Sequence, residues 1–146
     1  MIREGAEFRE LMLQVFRTRM AFRRSMQRTL RKNNAGITFE MLQVLSCLWH
    51  EQGISQQILA ERIAKDKACL TNLMNNLEKK GYVHRKEDPA DRRNKQVYLT
   101  PEEEFKEQIR PILDQVYVYA EQVIGIESIE LMLSELKGVY DVLENV

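Results

Sequence analysis

Residues 55–100 read SQQILAERIAKDKACLTNLMNNLEKKGYVHRKEDPADRRNKQVYLT, and this stretch decides the fold. Ser55 is an N-cap candidate opening a short helix, Gln56 to Ala64, that turns Ile58, Leu59 and Ile63 inward. Asp66-Lys67 make a short break before a second helix, Ala68 to Lys80, with Gly81 as its C-terminal cap. Two runs of strand-like alternation follow, Tyr82-Val83-His84-Arg85 and Gln96-Val97-Tyr98-Leu99. They bracket a polar turn over residues 87–95, so they read as a hairpin with a charged tip. Two short helices joined by a tight turn and followed by such a hairpin describe a winged helix-turn-helix, whose second helix enters the DNA major groove.

Face arithmetic at about 100° per residue supports this reading. Leu70, Leu73, Met74 and Leu77 cluster on one side of the second helix. The opposite side is centred on Ala68, Asn72, Asn75 and Lys79, with Thr71 and Asn76 flanking it. Asn can pair bidentately with adenine, and Thr can meet a phosphate or a thymine methyl. A solvated helix face has the same composition, so the neighbouring elements decide between the two readings. Arg92 and Arg93 at the protruding turn suit a narrow minor groove, where negative potential is enhanced, and Asp91 is placed to pin one of them. Ser55, Gln56, Lys67 and Lys95 are the expected phosphate anchors.

Working outward, residues 6–32 carry Phe8, Leu11, Met12, Val15, Phe16, Met20, Phe22, Met26 and Leu30 close to helical spacing. A helix of ~27 residues is a rod of about 40 Å, longer than a small domain needs for its own core, and usually packs on a second chain or a second long helix. Asn33-Asn34-Ala35-Gly36 supply its stop, and Thr38 caps a further helix with Met41, Leu42, Leu45, Leu48 and Trp49 on its apolar face. From Pro101 a long acidic helix runs to about Val123, Gly125 interrupts it, and Ser128 opens a last helix. The expected fold is mainly α with a small β-hairpin, a winged helix-turn-helix with long N- and C-terminal dimerisation helices. Residues 1–36 and 101–146 form the helical dimerisation region and residues 37–100 the DNA-binding region of one compact domain.

Composition bounds the function classes. The 146 residues are 44% hydrophobic and 30% charged, which excludes a disordered or low-complexity chain. No apolar run approaches the ~18–20 residues of a membrane span, and no signal-peptide pattern opens the chain, so it reads as cytoplasmic. The net charge of zero conceals a gradient: residues 1–36 carry +6, residues 37–100 +2 and residues 101–146 −8. Such a distribution fits two ends that pack on each other, or a dipolar molecule with one face turned toward a polyanion.

The sequence resembles the MarR-type multiple-antibiotic-resistance regulators over nearly its whole length. The carrying residues are Ile58-Leu59-Ala60-Glu61-Arg62-Ile63, then Asp66-Lys67, then Leu77 to Arg85. Asp88-Pro89-Ala90-Asp91-Arg92-Arg93 followed by Val97-Tyr98-Leu99-Thr100 resembles the family's wing, with its D-x-R signature at Asp91 and Arg93. The resemblance implies a homodimer whose long first helix and last two helices interlock, and repression commonly relieved by a small ligand or by oxidation. Amides at Asn72 and Asn76 replace the arginines often found there, so the family's operator preference does not transfer. Pro101-Glu102-Glu103-Glu104 likewise departs from the glycine that usually follows the wing.

By the same resemblance, an aromatic or phenolic ligand would lie between the dimer region and the winged helix, lined by Phe16, Met20, Met41, Leu45, Trp49, Tyr117 or Tyr119. All of these also fit plain core packing. Cys69, near the start of the reading helix with Lys65 and Lys67 nearby, is a redox candidate, or simply a small boundary residue. Cys47 and His50 lie three apart, without the paired spacing of a metal site, and no cofactor is expected. No G-x-S-x-G, phosphate-binding Gly loop or other catalytic motif is present, so an enzyme is not expected. The expected partners are double-stranded DNA, a second copy of the chain and a small aromatic ligand. An alternative is a helical protein-interaction module that has kept the fold and lost DNA binding.

Overall fold

Capping side chains open three of the helices in the computed structural model, which describes residues 4–63, 66–100 and 105–146, with backbone alone at Lys67 and Phe105. Helix α1 spans Ala6–Lys32 and ends at Asn33, after which Asn34 (φ 51°) and Gly36 (φ 72°) turn the chain. Thr38 opens α2, Phe39–His50, its Oγ1 accepting the Met41 N–H at 3.2 Å. Ser55 opens α3, Gln56–Ile63, by accepting the Ile58 N–H at 3.1 Å. Asp66, expected to lie in a break, instead caps α4, Lys67–Lys79: its carboxylate accepts the Cys69 N–H at 2.7 Å, so the helix begins at Lys67. Gly81 (φ 83°) ends α4, with the Tyr82 N–H reaching back to the Leu77 carbonyl at 3.0 Å.

The expected hairpin is the larger part of a three-stranded antiparallel sheet. Strands β1 (Ile54–Ser55), β2 (Val83–Glu87) and β3 (Lys95–Leu99) take the order β1-β3-β2. Ile54 pairs with Val97, and Arg85 with the same Val97 from the other side. Gly53 makes the approach to β1 possible: its φ is 77°, and a Cβ there would lie 3.1 Å from the Tyr98 hydroxyl. His84 stacks on the Tyr98 ring at 5.3 Å and hydrogen-bonds the Thr100 hydroxyl, which ties β2 to β3 and to the chain just beyond it.

A π-type turn, Phe105–Ile109, leads into α5, Arg110–Ile124. Pro101, the expected start of this helix, lies outside the described residues. The last helix, α6, spans Ile126–Glu144 and begins directly after Gly125 (φ 96°), not at Ser128. The left-handed glycine alone makes the break, and the Ile129 N–H already bonds to its carbonyl at 3.1 Å.

Leu45 and Leu48 of α2, Leu59 of α3, Leu70, Met74 and Leu77 of α4, and Val83 and Val97 of the sheet form one core. Met26 and Leu30 at the end of α1 and Ile112 and Leu113 at the start of α5 belong to it. The flanking helices are also pinned by polar and aromatic contacts. Asn33 and Gln115 exchange two amide hydrogen bonds of 3.1 Å, Arg23 pairs with Glu40 at 2.5 Å, and Phe22 meets Phe39 edge-on and Tyr117 face-on. Helix α6 is different, since none of its residues is buried. Among the described residues no helix is long and apolar enough to cross a membrane.

Candidate nucleic-acid interface

Burial of Leu70, Met74 and Leu77 fixes the rotation of α4 about its own axis. The side turned outward then carries Ala68, Asn72, Asn75, Asn76 and Lys79, all exposed, with Thr71 half-buried beside them. Between this helix, α3 and the sheet lies a cleft of about 710 Å³ lined by Gln56, Thr71, Arg85, Arg93 and Lys95 among others. One polar surface therefore unites residues drawn from four elements.

The wing tip is built by its own carboxylates. Asp88 accepts the Ala90 N–H at 2.9 Å and Asp91 accepts the Arg93 N–H at 3.1 Å, two side-chain turns that close the loop between β2 and β3. Asp91 thus holds the backbone of Arg93 and not a guanidinium. Among the described residues neither Arg92 nor Arg93 enters an ion pair, and both side chains are exposed.

Two expected phosphate anchors are placed differently from the rest. Ser55 is buried with its hydroxyl engaged in capping α3, and Gln56 is half-buried, its Nε2 donating to Thr71 Oγ1 at 3.4 Å. Lys95 is exposed beside the cleft, and the Lys67 side chain lies outside the described residues. Cys69 is half-buried in the first turn of α4, and its thiol is free.

Arg85 is the residue that sequence reasoning missed. Its side chain is only 16% exposed, and it joins β2 to both helices. Nε donates to Glu78 Oε2 at 2.9 Å, Nη2 to Asn75 Oδ1 at 2.9 Å, and Nη1 reaches Gln56 Oε1 at 3.5 Å. The hydrogen bond from Arg85 holds the Glu78 carboxyl below its ordinary range, aided by the charges of Lys95 and His84.

The residues expected around a ligand do not gather in one place. Met41 and Leu45 belong to the core, Trp49 is half-buried, and Phe16, Met20 and Tyr119 are exposed. Tyr117 alone of that set lines a separate cavity of about 480 Å³, with Arg19, Phe22, Phe39, Cys47 and Arg62. Tyr117 is itself 38% exposed, and its partial burial there pushes the phenol up. Arg62 is anchored at its mouth by Glu51 at 2.6 Å.

The α3-α4 pair with a three-stranded wing defines a winged helix-turn-helix protein. Residues 37–95 match the sequence model of the MarR family. The HTH-type transcriptional regulator SarZ of Staphylococcus haemolyticus is 35% identical over 82 residues, 56% of each chain. The chain spans about half the length of the curated relatives it matches. Two solved structures follow its course: NadR in complex with 4-hydroxyphenylacetate, and Staphylococcus aureus MepR in its DNA-binding conformation. NadR superposes with a TM-score of 0.74 at 26% identity, covering 87% of this chain and 89% of that one. For MepR the score is 0.73 at 25% identity, covering 89% and 98%. Over residues 37–95 the chain is thus similar to the MarR family.

The Arg85–Glu78 pair gives a pH signature. A carboxyl held below its unfolded value of 4.5 contributes stability that is complete above that value and is lost as pH falls through the folded one. Glu78→Gln should therefore melt below wild type at pH 7, and the gap should shrink below about pH 4.5. A gap that stays constant in melting curves from pH 7 to 3 would show that the two side chains are unpaired in solution.

Proposed function

We propose that this chain is a homodimeric, sequence-specific DNA-binding transcriptional regulator, a repressor released by a small ligand. The carrying observation is the cleft in which Thr71 of α4 faces the wing's Arg93 and Lys95, with Asn72, Asn75 and Lys79 exposed on the outward side of α4 and Arg92 exposed at the wing tip. In this reading α4 lies in the major groove, Arg93 with Arg92 reaches the adjacent minor groove, and Lys95 contacts phosphate. The names of SarZ and of MepR's DNA-binding conformation support the same direction.

Two-fold symmetry then calls for a pseudo-palindromic site with half-sites ~10 bp apart. Asn75→Ala should weaken the preferred site by about 1–3 kcal/mol and relax preference at one base pair. Lys95→Ala should weaken every sequence alike and reduce the slope of log affinity against log salt by about one. Selection from random duplexes at two salt concentrations checks both. Retention of no sequence would instead favour a protein-interaction module.

The dimer is supported by apolar side chains left in water. Phe8, Leu11, Leu13 and Phe16 on α1, and Leu131, Leu133, Leu136 and Tyr140 on α6, are all exposed in the single chain. Patches of this extent on helices with no further cover mark association surfaces. The basic first segment and the acidic last one supply complementary charge. Leu136→Glu should convert a dimer to monomer in sedimentation velocity; a wild-type monomer at micromolar concentration would refute the assignment.

The Tyr117 cavity supports the ligand. Two guanidiniums, Arg19 and Arg62, and the rings of Phe22, Phe39 and Tyr117 line it, a set suited to an aromatic carboxylate. The named 4-hydroxyphenylacetate complex of NadR points the same way. Hydroxylated aromatic acids should raise the melting temperature of wild type and not that of Arg62→Ala; equal shifts in both would place binding elsewhere.

A further inference from the structure

Side-chain length follows a gradient along the outward line of α4. At about 100° per residue, the direction opposite the buried Leu70, Met74 and Leu77 passes within about 30° of Ala68, Asn72 and Lys79. Asn75 and Asn76 stand about 50° to either side of it, and Asn75 is already engaged by Arg85. The three residues on the line are exposed, and among the described residues the Asn72 amide has no hydrogen-bond partner. Ala68 carries a single methyl near the start of the helix, Asn72 a short amide one turn on, and Lys79 a long chain about 10 Å further along. Such a taper fits a helix that enters a groove N-terminus first and diverges from its floor toward the C-terminus. A side chain as short as Asn meets a base edge only where the backbone comes close, and the methyl of Ala68 leaves that approach open.

We propose that Asn72 is a specificity-determining residue that reads an adenine, while the Ala68 methyl packs on the C5-methyl of a thymine in a nearby base pair. The amide offers a donor and an acceptor side by side, the pair that the N7 and N6 amino group of adenine require. Guanine shows two acceptors there, N7 and O6, and would leave the Asn72 oxygen facing one of them. Helix α4 contains no arginine, the side chain whose fork matches guanine. Four residues of helix advance about 6 Å, against about 3.4 Å per base-pair step, which sets the two contacts one or two steps apart. The inference rests on the DNA-binding reading and adds to it the base that is read and the two residues that read it.

The test uses the whole chain and duplexes selected from a random pool, then varied one base pair at a time. The base pair whose preference disappears in Asn72→Ala locates the position that residue reads. An A·T pair is expected there, preferred about tenfold or more by wild type, and the salt slope of Asn72→Ala should stay as in wild type. Asn72→Arg should move the preference at that same position to G·C, since a guanidinium donates to both N7 and O6. Uracil in place of the thymine one or two steps away removes only the C5-methyl. Wild type should bind that duplex about fourfold more weakly, whereas Ala68→Gly should bind both duplexes alike. Melting curves confirm that each variant is folded, and Ala68→Ser serves in place of Ala68→Gly if the latter is not.

A G·C pair at the located position, an Asn72→Arg protein that still prefers A·T there, or wild-type affinity indifferent to uracil overturns the proposal and leaves the regulator reading intact. So does an Asn72→Ala protein that loses affinity equally on all sequences, which would make Asn72 a phosphate contact, or one that loses none, which would make it a solvated side chain. A wild-type protein that selects no sequence overturns the regulator reading and this inference together.

Discussion

The outward face of α4 is determined by its inward one. Leu70, Met74 and Leu77 are 1% exposed or less, in a core shared with α2, α3 and the sheet. A helix so seated has one rotational setting, because a slip of one residue, about 100°, would drive an Asn into that core and an apolar side chain into water. Everything on the polar surface inherits its position from this burial. The wing follows, since β3 is central in the sheet and Val97, fully buried, ties its base to the same core. Arg85 then adds polar stitching where packing alone would leave α4 and β2 side by side but unconnected.

Much of this was legible because it is written in local signals. Thr38 and Ser55 announce helix starts, Gly81 a helix stop, and the period of α4 its two faces. What escaped depends on contacts between distant residues. Strand β1 has two residues, too few for alternation, and exists only because Ile54 finds Val97. Asp66 looked like a breaker because a cap and a break use the same residue types. Arg85 looked like one position in an alternating strand; its role requires Gln56, 29 residues earlier. The ligand residues failed to converge for a related reason. Helical spacing identifies apolar faces, but the Tyr117 cavity is created where α1, α2, α3 and α5 meet, and two of its walls are arginines.

The chain divides its stability unevenly. The winged region and the adjoining ends of α1 and α5 enclose a core, whereas the first half of α1 and all of α6 contribute no buried residue. Those helices carry apolar periodicity as regular as any in the core. Among the described residues nothing covers that pattern, which is the physical content of proposing them as an assembly region.

The wing tip shows how little formal charge says about a field. Asp88, Asp91, Arg92 and Arg93 sum to zero, yet the two carboxylates are folded onto backbone N–H groups while the two guanidiniums project outward. The loop is in effect a small oriented dipole, its positive end at the surface. An approaching polyanion meets two cations that pair with no carboxylate among the described residues, while the neighbouring carboxylates, already partly neutralised by the amides they hold, act as a weaker layer of opposite sign. Exchanging Asp91 with Arg92 in the sequence would leave composition, net charge and isoelectric point untouched, and would turn that layer inside out.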